Sequence, residues 1–258
     1  MNWNNMRILL TNDDGIEAPG LVALEAIARE LSDDVWVVAP AEEQSGTGHS
    51  LTLTAPIRLR RLGERRFAVR GTPTDSVMMA IGHVMKDHRP DLLLSGVNRG
   101  PNMAEDVTYS GTVSAAMEGC LAGVRSIALS QAMGDYTVGN EDFSPATTRG
   151  AEIVRRLSGI DWPPGVLMNV NFPAGEPKGV RVAQQGFRDY GNINIVSRTD
   201  PRGFPYFWFG YGREVETPAH ATDLEAVRGG WVSVTPLHLD MTHYPTIDRL
   251  RDVLGDMA

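Results

Sequence analysis

Apolar residues occur along this chain in two alternating textures: short unbroken runs, and longer stretches where they recur every three or four positions. RILLT (7–11) is a short, nearly continuous apolar run, the pattern of a central parallel strand buried on both faces. Pro19 and Gly20 then introduce a segment with Leu24, Ile27, Ala28 and Leu31 on one face, which predicts a helix. VWVVAP (35–40) reads as a second buried strand, and strand, helix and strand in this order make a βαβ unit. A polar loop, AEEQSGTGHS (41–50), follows. Residues 51–70 alternate weakly around Ile57, Leu59, Phe67 and Val69 and predict a hairpin.

The alternation continues down the chain. GTPTDSVMMAIGHVM opens a helix, with Thr72 as N-cap, Pro73 at the first helical position and Asp75 placed to complete a capping box. DLLLSG (91–96) is another strand, and the Gly- and Asn-rich stretch 96–111 reads as a long loop. TVSAAMEGCLAG is a helix whose small residues suit close packing on a sheet. SIALS (126–130) is a strand, followed by a helix near 145–157 and strands near 166–171 and 180–184. From about 185 to 220 the texture changes to glycines, aromatics and turn signals, which predicts a β-rich arm rather than another βα unit. A strand at WVSVTPLHL and a helix near 245–255 form a C-terminal segment, about 230–258. The expected fold class is α/β: one Rossmann-like, mostly parallel sheet flanked by helices, a single domain over 1–258 with a C-terminal β-rich arm.

Composition narrows the function classes. Apolar residues make up 42% and charged residues 22% of the 258, which is ordinary for a globular protein. A net charge of -8 argues against constitutive binding of a DNA or RNA polymer, which needs a basic face. It leaves room for a small phosphorylated ligand held through a metal. Cys120 is the only cysteine, so no intrachain disulfide forms, which suits a reducing compartment. MNWNNMRILL lacks a basic segment followed by a long apolar one, and no apolar run approaches the roughly 20 residues of a membrane span. A cytoplasmic protein without a membrane anchor is the expectation.

Ligands in open α/β sheets bind at the carboxyl ends of the strands. Three polar clusters fall at such ends: Asn12-Asp13-Asp14, the Ser45 loop, and the stretch from Asn98 to Thr112. A lone Asp before Gly is ordinary turn chemistry. Two adjacent carboxylates repel, and a hard divalent cation such as Mg²⁺ or Mn²⁺ removes that penalty. Adjacent strand residues point to opposite faces, so both reach one ion only if the backbone turns, as Gly15 permits. Ser45 and Asn98 are commonplace loop residues, yet a hydroxyl and a carboxamide oxygen would complete an all-oxygen ligand set. No Cys/His cluster supports structural zinc. YSGT (109–112) lies where the loop becomes a helix, so Ser110, Gly111 and Thr112 read as anion contacts or as a plain N-cap. Asn102 stands four residues beyond Asn98 and is a candidate donor to the same phosphate. There is no Walker A motif, and GVNRGPN is not GxGxxG.

In order and spacing, RILLTNDDGIEAPG, VVAPAEEQSG, GTPTDSV, LLLSGVNRGPN and DVTYSGTVSAAMEG resemble the SurE (survival protein E) family of metal-dependent nucleotide phosphatases. The resemblance covers most of residues 6–131 and resumes at RDYGN, RTDPRG and TPLHLD. It implies a Rossmann-like core, a divalent metal ion in each subunit (Mg²⁺ or Mn²⁺), and a homodimer or homotetramer, often with exchanged C-terminal elements. It also implies hydrolysis of nucleoside 5′- and 3′-monophosphates and, in some members, of short polyphosphate. By motif, Asp13, Asp14, Ser45 and Asn98 are then the metal ligands, with Asp13 and Asp14 also catalytic. Asn102, Ser110, Gly111 and Thr112 are the substrate contacts. Ala104 stands where Gly is frequent, and Glu105 where Asp is frequent. Two rivals share these features: a metal-dependent nucleoside hydrolase, which cleaves the glycosidic bond, and a non-catalytic nucleotide-binding sensor.

Overall fold

The computed structural model describes residue 3 and residues 6–188, 194–210 and 221–255. Within these, β1 (Ile8–Thr11), α1 (Pro19–Arg29) and β2 (Val35–Pro40) form the expected βαβ unit. β3 (Arg58–Arg61) and β4 (Arg66–Arg70) are the hairpin, shorter than the 51–70 expected. The cap of α2 (Pro73–Met79) is a full capping box: Thr72 Oγ1 accepts from Asp75 N–H at 3.0 Å and Asp75 Oδ2 accepts from Thr72 N–H at 2.8 Å. The helix then relaxes into a π-helical turn, Ala80–Val84, instead of continuing as α.

β5 (Leu92–Arg99) runs three residues past the strand end expected at Gly96, into what the sequence marks as loop. Glycine and asparagine there resemble loop composition, but β6 (Arg125–Gln131) supplies ladder partners, pairing Asn98 with Ser130 and Arg99 with Gln131. The register shifts between Ser95 and Asn98, a bulge that re-aims the strand end. α3 (Gly111–Leu121), α4 (Ser144–Ser158) and β7 (Val166–Phe172) follow the expected order. β8 (Val180–Val182) is an exposed edge strand, shorter than expected. β9 (Asn194–Thr199) and β10 (Pro205–Gly210) pair antiparallel in a sheet of their own, the expected arm. A short helix, α5 (Asp223–Arg228), has no periodic signature in the sequence. β11 (Val232–His238) and α6 (Tyr244–Leu254) come last. The parts of the arm and of RDYGN at 189–193 and 211–220 lie outside the described residues.

Among the described residues, nine strands make one sheet in the order β3-β4-β2-β1-β5-β6-β7-β11-β8. It is parallel except at β3–β4 and β7–β11. One face packs under α1 and α4 and the other under α2 and α3, each with its own apolar core. β1 and β5, at its centre, are fully apolar through Leu10 and Leu94, hence buried on both faces. The chain order runs outward in opposite directions from the β1–β5 pair, so a crevice opens at their carboxyl ends. No helix among the described residues is long and apolar enough to cross a membrane.

The first turn of α1 abuts that crevice. A Cβ on Gly20 would overlap the Val97 carbonyl oxygen and lie 3.3 Å from the Phe143 ring. In an open helix Gly→Ala stabilises by about 1 kcal/mol. Gly20→Ala is instead expected to destabilise by about 1–3 kcal/mol, because α1 must back away from β5. Urea denaturation measures this, and a more stable variant would contradict the close approach.

Candidate active site

The end of β1 turns into a short bend at Asn12–Gly15, where Gly15 adopts φ +102°. Asn12 is fully buried and its Nδ2 donates to the Gly15 carbonyl at 2.8 Å, which closes the bend. Asp13 is 4% exposed and Asp14 half-buried. The Ser45 loop is docked against this bend: Gln44 N–H donates to the Asp13 carbonyl at 2.7 Å. From β5, Arg99 N–H donates to Asp14 Oδ2 at 3.2 Å. The three predicted clusters therefore converge on one crevice, as the strand ends dictate.

α3 points its first turn at Asp13. The Thr112 hydroxyl donates to Asp13 Oδ1 at 2.5 Å. A Cβ on Gly111 would lie 2.7 Å from the Asp13 Cβ, so only glycine lets the helix approach this far. Ser110 is the N-cap, its Oγ accepting from Val113 N–H at 3.0 Å. The helix start that the sequence marks for an outside anion thus already faces the protein's own carboxylate. Thr112 is fully buried, and its hydroxyl is engaged by Asp13 rather than presented to a phosphate.

Asn102 is likewise turned inward. Its N–H donates to Asn171 Oδ1 at 2.7 Å and its Nδ2 to Ser130 Oγ at 2.9 Å. Its carbonyl accepts from Asn169 Nδ2 at 2.8 Å and Asn171 Nδ2 at 3.1 Å. Asn102 sits over the ends of β6 and β7 as an anchor of the loop. Ser45 is exposed and donates to Glu43 Oε1 at 2.9 Å, and Asn98 Nδ2 donates to the Gly100 carbonyl at 2.8 Å. Sequence reasoning passed over Asn169, Asn171 and Ser130. The signal available was MNVNF, where asparagines alternate with buried apolar residues along a strand.

The electrostatics follow from this packing. Burial, then the neighbouring Asp14, push the Asp13 carboxyl up to about 6, although the Thr112 hydrogen bonds pull it down. Burial also raises Asp14, aided by Glu43 and opposed by the Arg99 N–H and guanidinium. A carboxyl raised from 3.8 to about 6 binds its proton more tightly folded than unfolded. Its stabilising contribution is full below the ordinary carboxylate range and is lost as pH rises through about 6. In metal-free protein, wild type is therefore expected to lose on the order of 3 kcal/mol relative to Asp13→Asn between about pH 4 and pH 8. Urea denaturation in chelator across that range measures the difference, and a pH-independent difference would rule out Asp13 as the titrating group.

The sequence model described as survival protein SurE matches residues 8–192. A curated relative from Rhizorhabdus wittichii, 5′-nucleotidase SurE, is 61% identical over 94% of this chain and 97% of its own length. Another of that name, from Erythrobacter litoralis, is 57% identical over 97% of this chain and 99% of its own. The crystal structure of the SurE protein from Aquifex aeolicus superposes with a TM-score of 0.82 at 39% identity, covering 96% of this chain and 99% of that one. With the family model, the relatives and the superposed structure in agreement, the chain belongs to the SurE family.

Proposed function

We propose that the chain is a metal-dependent phosphatase that hydrolyses nucleoside 5′- and 3′-monophosphates to nucleoside and phosphate. The observation that carries this reading is the pair Asp13 and Asp14, packed together at the β1–β5 crevice with the Arg99 N–H of β5 and the start of α3 against them. The 5′-nucleotidase name borne by the relatives points to the same reaction.

The donors fit a hard divalent cation, Mg²⁺ or Mn²⁺. Asp13, Asp14, Ser45 and Asn98 offer oxygen alone, two of them anionic. Burial and repulsion that raise Asp13 are relieved by a nearby positive charge. Ser45 donates its proton to Glu43, which leaves oxygen lone pairs for a ligand bond. Asn98 gives its amide nitrogen to Gly100, so the oxygen end is the one that serves a cation. When bound, such an ion activates a water and neutralises charge on the phosphoryl group.

The chain's own residues then do the following. Thr112 holds Asp13 in place and favours its ionised form. One of the two carboxylates, Asp13 or Asp14, takes the proton of the attacking water. Ser110, Gly111 and the loop anchored by Asn102 flank the phosphate, with Thr112 acting through Asp13. Water attacks phosphorus in line with the ribose oxygen, that phosphorus–oxygen bond breaks, the ribose oxygen takes up a proton from solvent, and the nucleoside leaves whole. The acidic balance and the lone Cys120 support a cytoplasmic protein that acts on mononucleotides rather than on a nucleic-acid polymer.

The reading also takes the protein to be a homodimer or homotetramer. Phe204, Phe207, Trp208 and Phe209 on the arm are each more than 60% exposed, and α6 buries none of its residues. An apolar surface of this kind on an isolated chain is normally covered by a partner. Light scattering at micromolar concentration should give a mass of two or four chains, and a monomer would contradict the assembly.

The reaction itself is tested with AMP and adenosine in ¹⁸O-labelled water. Label is expected in the released phosphate, with adenosine intact and free adenosine untouched. Chelator should abolish the activity, and Mn²⁺ or Mg²⁺ should restore it. Free adenine with labelled ribose would establish the nucleoside hydrolase instead. Absence of turnover on any phosphate ester would favour the sensor.

A further inference from the structure

The loop between β5 and α3 is held at its far side by a residue that no motif singled out. Asp223, at the start of α5, is fully buried. Its Oδ2 accepts from Ala104 N–H at 2.9 Å, and its Oδ1 accepts from Gly186 N–H and Leu224 N–H, both at 2.8 Å. Ala104 has φ +52°, a left-handed conformation that a non-glycine residue keeps only where its neighbours enforce it. Gln185 reinforces the same point, its Nε2 donating to the Ala104 carbonyl at 2.8 Å. Next along the chain, Arg188 N–H donates to Glu105 Oε1 at 2.5 Å and its guanidinium pairs with Asp106 at 2.8 Å. The excursion that carries the arm thus leaves and returns at this loop, through Gln185–Arg188 on one side and Asp223 on the other.

We infer that Asp223 is a positioning residue for the phosphate side of the crevice. Its carboxylate fixes the backbone at Ala104, two residues beyond the Asn102 anchor and six before the Ser110 cap. Asp13 and Asp14 sit at the end of β1, where the Gln44 N–H, the Arg99 N–H and the Thr112 hydroxyl hold them, and none of these hydrogen bonds involves Asp223. Loosening Ala104, in the middle of the loop, therefore shifts the groups around the phosphate first, while the carboxylate pair keeps its place at the end of β1 and its tie to the loop after β2. This inference rests on the phosphatase reading and names a residue that tunes substrate affinity within it.

Asp223→Asn separates this role from plain helix capping. The retained Oδ1 keeps Gly186 and Leu224, whereas the new Nδ2 meets the Ala104 N–H donor to donor. With Mn²⁺-loaded full-length protein, KM for AMP and the dissociation constant for inorganic phosphate are expected to rise about threefold to thirtyfold. The Mn²⁺ affinity, measured by calorimetry, is expected to stay within about twofold, inside the range of an uncoupled site. Gln185→Ala removes the second tether to Ala104 and should shift KM the same way by a smaller factor, whether or not Asp223→Asn folds. Unchanged KM and phosphate affinity in both variants would overturn the inference. So would a parallel loss of Mn²⁺ affinity, which marks a general structural role. Wild type that releases no phosphate would fail the phosphatase reading itself, before any variant is compared.

Discussion

Two neighbouring carboxylates kept close against burial and their own repulsion are the constraint around which this crevice is built. Asp13 is buried where water cannot screen it, and its carboxyl is pushed up to about 6 as a result. The fold tolerates this because three separate elements are committed to the pair: the Thr112 hydroxyl from α3, the Arg99 N–H from β5 and the Gln44 N–H from the loop after β2. Each arrives at a strand end, so the sheet order and the site are one arrangement. Gly111 marks how tight it is, since a methyl group there would collide with Asp13.

The other side of the crevice depends on polarity inside the sheet. Asn98, Ser130, Asn171 and Ser233 lie in register across β5, β6, β7 and β11. Ser130 and Asn171 from this row, with Asn169 two residues earlier on β7, hold Asn102 through both its peptide and its side chain. Buried amides and hydroxyls in a strand are costly unless paired, and Ser130, Asn169 and Asn171 pair by holding the loop. The loop is tied again at Ala104 by Asp223 and Gln185. A long irregular segment is thereby given the rigidity of the sheet it crosses.

Much of this was legible in the sequence, for physical reasons. Short unbroken runs such as ILLT and VWVVAP have the length and β-branched content of strands buried on both faces, and Thr72-Pro73-x-Asp75 encodes a capping box in adjacent residues. The doubled aspartate flagged the crevice because like charges need a partner. What remained hidden depends on contacts between distant residues. The last residues of β5 look like loop until β6 supplies their hydrogen bonds, and α5 is too short to show a period. Thr112 and Asn102 were read as facing a ligand, because a sequence shows donors but not which internal acceptors reach them first. The Asp223 clamp joins residues more than a hundred positions apart, beyond any local signal.

The central claim is that the Asp13–Asp14 pair is a cation site, and differential calorimetry on Mn²⁺ titration tests it most directly. A ligand that binds only the folded state stabilises it by about 2.7 kcal/mol at a hundredfold excess over its dissociation constant. Wild type should therefore melt at steadily higher temperature as Mn²⁺ is added, while Asp13→Asn and Asp14→Asn should show little of that gain. Equal stabilisation of all three proteins, or none in wild type, would contradict the account.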